Sequence, residues 1–178
     1  MLAEALLRGD EVRLPPGRYA FVDGNHMGGI GVVLVDQREA GPPAVQEIAT
    51  TVYEIFGRAG LPSLDTRRKI TATVDTLRNI LAELGALYAA LARAESGQAL
   101  TVVHDYAGVG AWMEGRWKTK DPVVTEVVTA CRELVADRRL RVSFRHQRGH
   151  ESSVAGRNDW AAYNARADRL ATDAARRG

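Results

Sequence analysis

The run Tyr19-Ala20-Phe21-Val22-Asp23 and the run Gly28-Gly29-Ile30-Gly31-Val32-Val33-Leu34-Val35, set a few residues apart, decide the fold class. Both are short, rich in β-branched and aromatic residues and bounded by turn formers, which is the pattern of strands. The glycines between them allow a tight turn, so the two strands pair antiparallel. Val45–Phe56, carrying Ile48, Val52, Tyr53, Ile55 and Phe56, is predicted as a third strand that completes a meander.

Outward from this hairpin the pattern changes period. Leucines at 77, 81, 84, 87 and 91 recur at spacings of three and four, which predicts an amphipathic helix over Leu77–Ala94. Between them, Gly57–Thr76 reads as an irregular insertion. Leu100–His104 is predicted as strand four, followed by a short helix near Gly108–Glu114. Pro122 opens a helix to about Ala136, Leu140–Arg145 alternates as strand five, and Trp160–Arg176 forms the closing helix. The predicted order βββαβααβα describes an α/β domain with a five-stranded mixed sheet, three strands antiparallel and then parallel ones, flanked by helices. Residues 1–17, ending in Pro15-Pro16-Gly17, are expected to be an N-terminal extension, and residues 18–178 the catalytic domain.

Composition narrows the class. The 178 residues suit one domain with a real core. The single cysteine, Cys131, excludes an internal disulfide and a cysteine-built zinc site, and a buried inert thiol in a reducing, cytoplasmic setting is expected. No stretch is apolar and long enough to span a membrane, and Met1–Arg13 is too acidic for a signal peptide. Net charge is only +2. Arginines crowd 138–148 and 166–177, so local basic surface is available for a polyanion, although solvated helix ends explain any one of them equally well.

Four acids are hard to read as packing. Asp23 and Asp105 close the apolar runs Tyr19–Val22 and Leu100–His104, while Glu83 and Asp168 fall inside helical patterns. Carboxylates gathered from two strands and two helices make an oxygen-only pocket for hard divalent cations, the basis of two-metal phosphoryl transfer. Three of them have a blander reading: Asp105 as a helix N-cap, Asp168 and Glu83 as surface acids of their helices. His104, next to Asp105 on a strand, points to the opposite face and reads as a core histidine. His26 and His146 have no partner at metal spacing and are assigned no role. Gly28-Gly29-Ile30-Gly31 opens a strand, not a helix, so a dinucleotide loop is excluded.

The pieces Phe21-Val22-Asp23-Gly24, Arg78-Asn79-Ile80-Leu81-Ala82-Glu83-Leu84, His104-Asp105-Tyr106, Trp117-Lys118, Arg148-Gly149-His150 and Asn164-Ala165-Arg166-Ala167-Asp168 occur in one order over residues 19–175. In that order they resemble the ribonuclease H type 1 family, and its compact bacterial and plant-viral branch in particular. The resemblance implies a ribonuclease H-like fold and a metal-dependent endonuclease that hydrolyses the RNA strand of RNA–DNA hybrids, leaving 5′-phosphate and 3′-hydroxyl ends. It implies two Mg²⁺ ions, with Mn²⁺ able to substitute: Asp23 bridging both, Glu83 and Asp105 completing one shell, Asp168 holding the second. His150 matches the family's loop histidine, which aids proton transfer or product release. Gly24, Asn25, Arg78, Asn79, Trp117, Lys118 and Asn164 fall at positions implied to meet the hybrid, Asn79 in the minor groove where a 2′-hydroxyl marks RNA. Trp117 reads equally as packing or as a stacking surface. The expected state is a monomer whose partner is the hybrid, with no membrane. The alternatives are a non-catalytic hybrid-binding module and a nuclease of the same fold acting on another duplex. Three departures stand out: a long interval between Asp23 and Glu83, a long loop from His150 to Asn164, and no basic tryptophan-rich handle between Trp112 and Lys120.

Overall fold

The computed structural model describes residues 11–60, 75–147 and 158–177. In chain order the elements are β1 (Gly17–Gly24), β2 (Gly29–Gln37), β3 (Ala44–Thr51), α1 (Val52–Ala59), α2 (Arg78–Arg93), β4 (Ala99–His104), α3 (Ala107–Met113), α4 (Pro122–Asp137), β5 (Arg141–His146) and α5 (Asp159–Arg177). The strands form one sheet in the order β3-β2-β1-β4-β5. The β1–β2 and β2–β3 pairs are antiparallel, and the β1–β4 and β4–β5 pairs are parallel. This is the five-stranded mixed sheet that the alternation predicts, because a meander supplies the antiparallel half and helical crossovers force the parallel half.

One boundary differs from the sequence reading. The third strand stops at Thr51, and Val52–Phe56, predicted as its continuation, is helical. Thr51 keeps extended backbone while its side-chain oxygen accepts from the Glu54 amide, and Gly60, at φ 64°, ends the helix by donating its N–H to the Phe56 carbonyl. A capped start and a left-handed glycine stop outweigh the strand preference of Val52, Tyr53, Ile55 and Phe56. The rest of the insertion predicted at Gly57–Thr76 lies, between residues 61 and 74, outside the described residues.

Each face of the sheet buries its own apolar set. On one face Ala20, Val22, Ile30, Val32 and Val102 pack with the leucines 81, 84, 87 and 91 of α2 and with Val124, Val127, Val128 and Cys131 of α4. On the other, Tyr19, Phe21, Val33, Val35 and Val103 pack with Trp160 and Ala167 of α5. The closeness of α5 depends on small residues: a Cβ at Gly31 would sit 2.0 Å from the Ala167 carbonyl oxygen. The expected extension at residues 1–17 lies outside the described residues up to residue 10. Beyond that point it is fastened to α5: Val12 bridges Asn158, the Leu14 amide donates to Asp159 Oδ2 at 3.0 Å, and Leu14 is buried beside Trp160.

Candidate active site

In the parallel β1–β4 pair Val22 lies opposite His104, so Asp23 and Asp105 follow at adjacent strand ends. Side-chain alternation turns both away from the face that carries Val22 and Val102, toward α5. Glu83 arrives from the other face. Gly24 makes this possible, since a Cβ there would come within 2.3 Å of the Glu83 amide nitrogen. With no side chain in the way, α2 closes on the end of β1, and the nearby Gly24 backbone opposes part of the upward shift of the Asp23 and Glu83 carboxyl groups.

The result is a tight group of acids. One carboxylate oxygen from each of Asp23, Glu83 and Asp105 lies within 4.8 Å of the others. Asp168, exposed on α5, joins them at the rim, where its charge acts on both Asp23 and Asp105. The structure therefore brings all four acids picked out in the sequence to one place, two of them buried, Asp105 half-buried and Asp168 at the mouth.

Their electrostatics describe a site short of positive charge. Burial pushes the Asp23 carboxyl up to about 8, with Asp105 and Asp168 adding to the shift. Burial likewise pushes Glu83 up to about 10, helped by the charges of Asp23 and Asp105. Asp105 also moves up, chiefly by burial. Asp23 and Glu83 are only 5% and 8% exposed, yet among the described residues none of the four acids is in an ion pair with arginine or lysine. The buried Glu83 Oε2 has no hydrogen-bond partner among the described residues. Oxygen donors packed this closely, one of them orphaned, fit a hard divalent cation, and without one the cluster must hold protons.

The positions expected to meet a substrate surround this cluster unevenly. Asn79 is exposed one helical turn before Glu83, on the same face of α2. Arg78 packs its aliphatic stem where Gly28 has no side chain, and its guanidinium holds Asp75 at 2.5 Å. Asn25 shapes the β1–β2 turn by accepting the Met27 amide at 2.7 Å, and it reaches Thr172 of α5 at 3.3 Å. Asn164 lies one turn before Asp168, with a buried Oδ1 that has no partner among the described residues. Trp117 is 47% exposed, edge-on to the buried Trp112 ring at 6.1 Å, and Lys118 beside it is exposed. His150, with Arg148, lies outside the described residues. His104 is buried, as its place on the strand suggests. The contact missed in the sequence is that of His146, whose Nε2 donates to the Asp105 carbonyl at 2.7 Å. A bond to backbone leaves no spacing signal in a sequence.

Comparison with known proteins agrees with this geometry. The family model described as RNase H matches residues 20–176. No curated protein matches significantly. Among solved structures, RNase H1 of the halophilic archaeon Halobacterium salinarum is similar at 21% identity and TM-score 0.54, over 90% of this chain and 98% of that one. The N-terminal RNase H domain of a Mycobacterium tuberculosis protein, solved as a maltose-binding-protein fusion, is similar at 20% identity and TM-score 0.52, over 92% and 96%. LC11-RNase H1, from a compost metagenome and solved in complex with an RNA/DNA hybrid, is similar at 20% identity and TM-score 0.51, over 90% and 96%.

Proposed function

This chain belongs to the ribonuclease H family, and on that premise we propose that it cuts the RNA strand of RNA–DNA hybrids by a two-metal mechanism at the acidic cluster. The observation that carries the reading is the meeting of four acids from four separate elements around an orphaned, buried carboxylate oxygen. The ions would be Mg²⁺, with Mn²⁺ able to substitute. Asp23, central to the cluster, would hold both, Glu83 and Asp105 one, and Asp168 at the rim the other. When bound, such ions activate the attacking water and neutralise charge on the leaving 3′-oxygen, giving 5′-phosphate and 3′-hydroxyl ends.

The remaining work falls to the chain's own residues. The missing Cβ of Gly24 lets α2 close on the end of β1, so the approach of Glu83 to Asp23 is set by the backbone. Asn79, exposed one turn from Glu83, is placed to test a 2′-hydroxyl beside the cluster. Arg78, Asn25, Gly24 and Asn164 are proposed to meet the hybrid, and Trp117 with Lys118 offers a ring and a cation to the sugar-phosphate path in place of a handle. His150 is proposed to assist proton transfer or product release. We further propose residues 18–178 as the catalytic domain with 1–17 as its extension, acting as a monomer in the cytoplasm. The buried Cys131 thiol suits a reducing compartment, and among the described residues no helix is long and apolar enough to cross a membrane.

Cleavage of an end-labelled hybrid in Mg²⁺, beside RNA–RNA and DNA–DNA duplexes of the same sequence, tests the reading. Cuts confined to the RNA strand of the hybrid support it. Binding without cleavage would identify a hybrid-binding module, and preference for another duplex a different nuclease.

A further inference from the structure

We infer that His146 is a positioning residue for Asp105, acting through the backbone at the end of β4; this rests on the reading that Asp105 is a cation ligand. Asp105 and Tyr106 lie between the last strand residue, His104, and the first residue of α3, Ala107. Tyr106 caps α3 without a side-chain hydrogen bond, so no capping side chain fixes these two peptides. Three consecutive carbonyls are nonetheless held. The His104 carbonyl accepts the Gln147 amide at 2.8 Å, the final rung of the β4–β5 ladder. The Asp105 carbonyl accepts His146 Nε2–H at 2.7 Å. The Tyr106 carbonyl accepts His104 Nδ1–H at 2.9 Å and the Val109 amide at 3.1 Å.

The strand register makes this arrangement. His104 and His146 are partners in the parallel β4–β5 pair, which brings their rings to 5.7 Å with an interplanar angle of 31°. One ring turns inward and is buried, and the other is exposed beyond the strand end. The two rings thus hold the carbonyls of successive residues. Both bonds require only an N–H on the ring nitrogen, which neutral imidazole and imidazolium both supply. Rotation of the Asp105 peptide would swing its carboxylate away from Asp23 and Glu83, and His146 resists that rotation from outside the cluster. Groups that orient a ligand in this way typically change metal affinity or activity about 10–100-fold when lost.

The test compares His146→Leu with His146→Gln, whose amide can place a donor where Nε2 lies. Mn²⁺ binding to the full chain is measured by calorimetry without nucleic acid, beside the melting temperature, kcat and KM. The expected result for His146→Leu is a Mn²⁺ Kd raised about 10-fold or more, a matching fall in kcat and a KM for hybrid within about two-fold, at an unchanged melting temperature. His146→Gln is expected to recover most of both losses. Unchanged Mn²⁺ affinity in His146→Leu would overturn the inference. So would a loss that Gln does not restore, or one that simply follows a lowered melting temperature. Because the calorimetry needs no turnover, wild-type protein that binds Mn²⁺ but leaves hybrid intact would defeat the proposed function while still deciding the role of His146.

Discussion

Replacing Asp23 by asparagine should make the metal-free protein more stable while ending its catalysis. Asp23 titrates at about 8 in the folded chain against 3.8 as an ordinary carboxyl, because it is buried among other acids. A carboxyl with a raised folded value contributes stability below about pH 4 that is lost as pH climbs toward 8. At pH 7 the unfolded chain holds Asp23 ionised, whereas the folded chain must take up a proton to bury it. The span from 3.8 to 7, at about 1.4 kcal/mol per unit, sets a ceiling of about 4 kcal/mol for this penalty. Asparagine keeps the shape of the side chain, and it needs no proton. Relaxation and solvent around the folded site reduce that ceiling, so the gain should be about 2–3 kcal/mol, or about 5–10 °C in melting temperature for a chain of this size. The gain should vanish near pH 4. Calorimetric melts in EDTA from pH 4 to pH 8 measure it, and saturating Mg²⁺ should raise the wild type but not the variant. A variant no more stable than wild type at pH 7, or wild-type stability that rises steadily from pH 4 to pH 8, would refute the reasoning.

Other outcomes follow from the same geometry. Asp105→Asn and Asp168→Asn should each abolish hybrid cleavage with circular dichroism unchanged; turnover near the wild-type level in either would remove that acid from the mechanism. Gly24→Ala should cost about 1–3 kcal/mol or more and abolish cleavage, because the added carbon would lie 2.3 Å from the Glu83 amide nitrogen and must push α2 off β1. Denaturant melts and activity on one preparation check this, and a folded, fully active variant would show the packing is looser than described. Lys118→Ala should weaken hybrid binding and reduce the slope of log K against log salt by about 1; an unaltered slope would remove this lysine from the phosphate path.

Most of the sheet was readable because its strands carry strong local patterns. The β1 and β2 runs combine β-branched residues with a glycine turn, and the leucine spacing of α2 survives as its buried stripe. The sequence pattern carries the third strand past its true end at Thr51 because Val52, Tyr53, Ile55 and Phe56 favour strands one residue at a time. The contrary signal was present in Thr51-Val52-Tyr53-Glu54, the spacing of a helix-start capping box, and in Gly60 beyond it. Asp23 and Asp105 could be picked out because an acid closing an apolar strand has few packing reasons to be there. How deeply Glu83 is enclosed could not, since that follows from the missing Cβ of Gly24 on another element. The burial of Leu14 beside α5 and the bond from His146 to a backbone carbonyl were equally hidden, as both depend on contacts between residues distant in sequence.

The most direct test of the central claim is anomalous diffraction from crystals of the full chain grown with Mn²⁺ and a hybrid whose RNA strand cannot be cleaved. Two ions are expected, one held by Asp23, Glu83 and Asp105 and the other by Asp23 and Asp168, both on an RNA phosphate. Ions bound elsewhere, or an acidic cluster left empty beside bound hybrid, would contradict it.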